Sequence, residues 1–249
     1  MESSSPDRNI IESYWLSMAL LLYWWRRVLS KSLHMLIVTL SSILEENVRV
    51  YMFHSIGDDF HQLNISTEDF NTFLSKICKK KVIRLEEWDR KRGGCGLSFD
   101  DVPSSFYYNA YPLLKKYDLP FTLFVSCSLL NQNGYITNNQ LKEIANCKLC
   151  TIGSHGFNHG FYREFSAEEA KYDLQSSRMY LEEIIGRPVE LFAFPYGSFF
   201  SCGYKRKNIV GSFYKYGFST VNCPITSPSL LSSFFLPRIS VDNSLIRSL

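Results

Sequence analysis

The stretch from Gly96 to Val125, GLSFDDVPSSFYYNAYPLLKKYDLPFTLFV, decides the fold. Gly96–Phe99 is a short apolar strand, a helix is expected through Tyr107–Tyr117, and Phe121–Val125 has the composition of a buried strand. The alternation continues in both directions. Upstream, Val48–Phe53 (VRVYMF) reads as a strand, and Ser66, with Asp69 three residues on, opens a helix. Downstream, Thr137 with Gln140 caps a helix, Thr151–Gly153 is a short strand, and Ser166 with Glu169 opens a long helix that ends at Gly186. Leu191–Phe194, a helix ending near Gly217, Phe218–Val221 and Phe235–Val241 complete the series. Alternation carried this far predicts an α/β protein on a parallel sheet, open or closed into a barrel. In such sheets the chemistry gathers at the carboxyl ends of the strands.

Three polar clusters stand at such ends. Ser98-Phe99-Asp100-Asp101 follows GLSF; two adjacent carboxylates are either a solvated turn or a pair that needs a cation nearby. Gly153-Ser154-His155-Gly156-Phe157-Asn158-His159 follows TIG. Histidines at i and i+4 would share one face of a helical turn and could share a metal. Phe194-Pro195-Tyr196-Gly197 follows LFAF and reads as a turn presenting backbone N–H groups. Each has an ordinary structural explanation alone. Together they supply one ligating carboxylate, two imidazoles and a spare carboxylate, the inventory of a hydrolytic metal site with a general base.

Composition narrows the alternatives. The chain has 249 residues, 45% apolar and 20% charged, as a globular domain would be. A net charge of +3 gives no footprint for nucleic acid. The run Lys79–Arg92 carries seven positive and three negative charges, an excess of 7 − 3 = +4 that suits a solvated face or an anionic glycan or lipid phosphate. Seven scattered cysteines fit a reducing compartment better than a disulfide framework, and Cys147 and Cys150 form a lone CxxC with no second pair to complete a zinc site. Residues 10–44 are aromatic and aliphatic, but their longest uncharged stretch, Ser13 to Trp25, is 13 residues, too short to span a bilayer comfortably. Trp15, Trp24 and Trp25 with Arg26, Arg27 and Lys31 suit a helix lying in the headgroup layer; packing on the domain or dimerisation is the alternative. The leader MESSSPDRN does not have the positive charge of a secretion signal.

In order, SFDD, HGFNH and FAFPYG resemble the polysaccharide deacetylases of the NodB-homology class, carbohydrate esterases of type 4. MFHSIGDD, STEDF, NAYPLLKKYDLPFTLFV and LPRISV extend the resemblance over roughly Val50 to Asp242, and the pattern is nearest to the branch that deacetylates poly-N-acetylglucosamine. The resemblance implies a distorted (β/α) barrel over 48–249, preceded by a helical segment over 1–47. It implies a divalent metal, commonly zinc, and hydrolysis of the acetamide of an N-acetylated oligo- or polysaccharide. Carried over by position, Asp101, His155 and His159 match the metal ligands and Asp100 the general base. Tyr196 matches the oxyanion donor through its backbone N–H, and Pro195 and Tyr196 the substrate-binding turn.

The departures generate expectations of their own. Many members have Gly where this chain has Val102, Ser or Thr at Gly156, and Arg at Ala193; no downstream Trp or paired Asp forms the fourth motif, and no His follows His159 to act as general acid. Arg238, in LPRIS, is expected to return toward the first strand and pair with Asp100 in place of the missing arginine. His54, directly after VRVYMF, is the candidate for the missing acid or for a partner orienting the catalytic carboxylate. The alternatives are a deacylase of a lipid-linked saccharide and an inactive carbohydrate-binding homologue. The expected location is the cytoplasm, at or near the inner face of the membrane.

Overall fold

The computed structural model describes residues 48–57, 64–87, 93–203, 206–225 and 233–249. The aromatic segment over 10–44 and the boundary at residue 47 lie outside the described residues. Among the described residues no helix is long and apolar enough to cross a membrane.

The elements, in chain order, are β1 (Val48–Phe53), β2 (Ser55–Ile56), β3 (Asn64–Ile65), α1 (Thr67–Ile77), β4 (Gly94–Asp100), α2 (Tyr111–Lys116), β5 (Phe121–Val125), α3 (Asn138–Ala145), β6 (Cys150–Ser154), α4 (Ala167–Ile185), β7 (Leu191–Ala193), α5 (Phe199–Cys202), α6 (Lys207–Val210), β8 (Tyr216–Phe218), β9 (Ile239–Ser240) and α7 (Asn243–Ser248). Seven strands form one all-parallel sheet in the order β8-β7-β6-β5-β4-β1-β9. The segment that carries β9 leans on both edges of this curled sheet. Leu236 N donates to Gly217 O and Ser219 N to Leu236 O, both at 2.7 Å, while Ile239 and Ser240 pair with Tyr51 and Met52. That is the distorted barrel that the resemblance implies, and it closes the choice between an open and a closed parallel sheet. The reading of Phe235–Val241 as one strand is corrected: it divides its backbone bonds between two neighbours and is regular only over two residues.

The pleat sorts the side chains into two cores. Tyr51, Phe53, Leu97, Phe99, Leu123 and Ile152 face the helices, whereas Val48, Val50, Phe124, Leu191, Ala193 and Phe218 fill the lumen. Burial on both faces explains why the strands read as continuous apolar runs. On α1, Phe70, Phe73, Leu74 and Ile77 follow i, i+3, i+4, i+7 spacing and are all buried, each stabilising the domain by about 1.5–3 kcal/mol.

The helix caps are where the sequence placed them. Ser66 accepts the Asp69 N–H at 3.0 Å, Thr137 and Gln140 form a reciprocal box, as do Ser166 and Glu169, and Gly186 closes α4 at φ 69°. The helix expected through Tyr107–Tyr117 is instead a π-turn over Phe106–Ala110 leading into α2. Pro112 is the cause: it has no N–H to offer residue 108 and its ring would crowd that carbonyl, so the preceding turn widens, with Tyr111 N–H bonding back to Phe106 O. The helix expected to end near Gly217 is two short pieces, α5 and α6. All seven cysteines are free; Cys150 of the CxxC is buried in the helix-facing core, and burial raises its thiol pKa far above the ordinary value.

Candidate metal centre

The carboxyl ends of β4, β6 and β7 bring the three motifs together. Asp100 is the last residue of β4 and shares its inward face with Ser98. Beyond it the chain reverses in a three-residue turn, Val102 N–H donating to Asp100 O at 2.6 Å, with Asp101 at φ 60° and Val102 at φ 55°. The second of these explains why glycine would be at ease there. A β-branched residue at φ 55° carries about 1–3 kcal/mol of strain, held in place here by the complete burial of the Val102 side chain.

His155 follows β6 and is 2% exposed. Its Nδ1 lies 2.8 Å from the carbonyl oxygen of Ala193, which fixes the proton on Nδ1 and leaves the Nε2 lone pair free to ligate. The expected helical turn from His155 to His159 is not present. A loop joins them, bent at Gly156 (φ 78°) and His159 (φ 52°), and it sets the two ring centroids 5.1 Å apart.

One ligand atom each from Asp101, His155 and His159 falls within a 4.8 Å cluster. Asp101 Oδ1 is 3.6 Å from His155 Nε2 and 3.1 Å from His159 Nε2. A tetrahedral ion with ligands at about 2.0–2.1 Å would hold them about 3.3 Å apart. Asp101 Oδ1 is buried and has no aligned hydrogen-bond donor, since His159 approaches it off-axis. A buried carboxylate oxygen left in that state among two imidazoles fits a divalent cation. The electrostatics agree. Burial would raise the Asp101 pKa, but the two histidines outweigh it and hold the carboxyl well below its ordinary range. Burial lowers the His155 pKa, keeping the ring neutral as a ligand must be. In His159 burial is outweighed by the approach of Asp101 and the pKa rises, so a metal held there would have to displace a proton from that ring.

Asp100 stands beside this cluster, Oδ2 3.9 Å from His155 Nε2, and is 1% exposed. The structure places Arg238 on it from the barrel-closing segment: Nη1 donates to Oδ1 at 2.6 Å and Nη2 to Oδ2 at 2.7 Å. The guanidinium is fully buried, also donates to Ser219 O and Ser98 Oγ, and lies 5.2 Å from the Phe124 ring centroid. Burial alone would raise the Asp100 pKa; Arg238, with His155 and His54, reverses this and leaves it below the ordinary value. His54, just past β1, is thus close enough for both Asp100 and Asp101 to feel its charge.

The third motif closes the site. Tyr196, at φ 60°, puts its ring 4.8 Å from that of His159 and stacks at 3.9 Å on Phe161, with 3° between the planes. Tyr196 and Phe161 remain 49% and 40% exposed, so an open aromatic face begins at His159. Pro195 is buried, 3.7 Å from where a Cβ on Gly156 would sit. Sequence reasoning did not find Phe161, nor Asp173, which is buried beneath the His155–His159 loop. The signal for Asp173 was available: it occupies the inward stripe of α4 with Ala170, Leu174, Ser177 and Leu181, where an aspartate needs a partner.

Fold and site together define a (β/α)-barrel hydrolase with a candidate metal centre at the strand ends. The polysaccharide deacetylase family pattern matches residues 89–209, a little under half of the chain, and identifies that stretch as a polysaccharide deacetylase domain. It is 26% identical over 216 residues to the poly-beta-1,6-N-acetyl-D-glucosamine N-deacetylase of Staphylococcus aureus, covering 78% of this chain and 73% of that one. A polysaccharide deacetylase from Bacillus cereus has the same fold with a TM-score of 0.73 at 18% identity, covering 82% of this chain and 68% of that one. IcaB from Ammonifex degensii aligns with a TM-score of 0.66 at 20% identity, over 81% and 94% of the two chains.

Proposed function

We propose that residues 48–249 form a metal-dependent N-deacetylase, acting on N-acetylated sugars of a poly-N-acetylglucosamine-type polysaccharide or its precursor. The observation that carries this reading is the convergence of Asp101, His155 and His159 beside the ionised, arginine-clamped Asp100. Zinc is the metal best matched to one carboxylate and two neutral imidazoles. Held by those three side chains, it would supply Lewis-acid activation of a water and of the acetamide carbonyl.

The residues of the chain do the rest. Each Asp100 oxygen accepts one Arg238 N–H and keeps a second lone pair, and Oδ2 is the one turned toward His155. Oδ2 takes the proton from the attacking water, whose oxygen bonds to the acetyl carbon. The Tyr196 backbone N–H serves as a donor to the carbonyl oxygen as it gains charge. The C–N bond then breaks, acetate departs, and the sugar nitrogen receives a proton either from His54 or from Asp100. The stacked Phe161 and Tyr196 rings offer an apolar face to a pyranose.

Acetate release from N-acetylglucosamine oligomers, with and without chelator, tests the function. The double variant His155→Ala/His159→Ala should hold no stoichiometric zinc and release no acetate. Zinc retained by that variant would sink the ligand assignment, and no acetate from any N-acetyl sugar by the metal-loaded chain would leave a carbohydrate-binding homologue. For the leaving amine, His54→Gln should lower kcat about a hundredfold and remove the alkaline limb of the pH–rate profile. A profile of unchanged shape with kcat within about threefold would assign both proton transfers to Asp100.

A further inference from the structure

The loop between the two histidines hangs on a buried carboxylate that no motif contains. Asp173, on α4, is 4% exposed. Its Oδ2 accepts the Phe157 N–H at 3.0 Å and the Tyr162 hydroxyl at 2.6 Å, and its Oδ1 accepts the Asn158 N–H at 3.3 Å. The two amides belong to residues that separate His155 from His159. The opposite edge of the loop is held by carbonyls: Cys127 N–H donates to Gly156 O at 3.2 Å and Ser128 N–H to Phe157 O at 2.8 Å. One turn beyond Asp173, Ser177 meets Ser154 Oγ at 3.0 Å, and Ser154 Oγ accepts the Gly156 N–H at 3.1 Å. α4 therefore reaches this loop at three consecutive amides.

Gly156 makes the arrangement possible. A Cβ at that position would sit 2.9 Å from Asp173 Oδ2 and 3.3 Å from the Tyr162 hydroxyl, and its φ of 78° already disfavours other residues. Any side chain at this point would crowd the carboxylate through its Cβ; this chain has the bare backbone and the aspartate beneath it. An unpaired buried carboxylate is costly, and its charge here is met by three donors, two of which lie in the loop that presents the ligands.

We infer that Asp173 is a positioning residue for the metal centre, setting the separation of His155 and His159 through the backbone amides of Phe157 and Asn158; the inference rests on the metal reading of Asp101, His155 and His159. An outer partner of this kind governs metal affinity by fixing the ligands before the ion arrives. It does not touch the substrate.

The test is zinc affinity by chelator competition on the full chain, alongside melting temperature without metal. Asp173→Asn keeps the shape but turns an amide group toward an N–H or hydroxyl donor, and should weaken zinc binding about 10–100-fold. Tyr162→Phe removes a donor from the same carboxylate and leaves both loop amides in place, so it should lower the melting temperature while zinc affinity stays within about threefold. Unchanged affinity in a folded Asp173→Asn, or equal losses in both variants, would overturn the positioning role. Should Asp173→Asn fail to fold, Gly156→Ala carries the test: its Cβ displaces the carboxylate, at least a tenfold loss is expected, and unaltered affinity overturns the inference. A wild-type chain that binds no zinc would overturn the metal reading itself and this inference with it, whereas tight wild-type binding with an indifferent Asp173→Asn refutes only this one.

Discussion

Asp100→Asn should keep its metal and lose turnover by about 10²–10⁴-fold. The substitution preserves size and leaves Asp101, His155 and His159 untouched, so the three ligand atoms stay within their 4.8 Å cluster. It removes the anionic oxygen that accepts a proton, and an amide cannot replace it. Asp101→Asn should do the opposite, weakening the metal first and activity as a consequence. The two neighbouring aspartates differ in this way because of where each points: Asp100 closes β4 against Arg238, and Asp101 lies past the strand in a left-handed turn facing the histidines. Zinc content and kcat measured on both variants check the division of labour. Unaltered turnover in Asp100→Asn would make that residue structural, and zinc lost from Asp100→Asn but kept by Asp101→Asn would reverse the roles. Because Asp100→Asn also leaves a buried guanidinium short of its counter-charge, the melting temperature of each variant belongs in the comparison.

How much of this could be read beforehand follows from the range of the forces involved. Helix starts were legible because a cap is a local match between a side chain and an amide three residues on, as at Ser166 and Glu169. Most strands were legible because both their faces are buried; the expected Phe218–Val221 was misplaced, since the strand there is Tyr216–Phe218 and only Phe218 of the expected run belongs to it. One carboxylate beside two imidazoles was legible as an inventory at strand ends, and the resemblance picked out Asp101 from the two aspartates. The i, i+4 argument for the histidines was mistaken, because a loop bent at Gly156, not a helical turn, brings the two rings together. What the sequence did not disclose depends on long-range contact. Asp173 meets Phe157 across 16 residues and Phe161 meets Tyr196 across 35, and neither pairing leaves a periodic trace. Arg238 was legible only in part. Its likeness to a missing arginine at position 193 and its place on the closing strand suggested a direction, while the bidentate contact depended on a segment that leans on two strands at once.

Arg238→Leu should be the most destabilising single substitution in the barrel lumen. It removes both donors from Asp100 and leaves a carboxylate that is 1% exposed without its cation. Breaking one half of a buried pair costs about 3–5 kcal/mol, because the survivor keeps its desolvation penalty without its compensation. For a domain of this size each kcal/mol moves the melting temperature by about 2–4 °C, so a fall of about 6–20 °C is expected in the metal-free protein. The double variant Asp100→Leu/Arg238→Leu should recover part of that loss, since no charge is then left stranded. The pH dependence has a definite sign. Asp100 is held below its ordinary pKa in the folded chain, so the stability it contributes is present above the ordinary carboxylate pKa of about 3.9 and fades as pH falls through the lower folded value. In Arg238→Leu the burial that raises the Asp100 pKa loses its strongest opponent, and the carboxyl should protonate closer to neutrality. The gap in stability between wild type and Arg238→Leu should therefore be widest near neutral pH and close toward acid. Denaturant midpoints for both proteins from pH 4 to pH 8 measure it. A gap that stays constant across that range, or a double variant no more stable than Arg238→Leu, would mean that the guanidinium fills space in the lumen without holding the charge of Asp100.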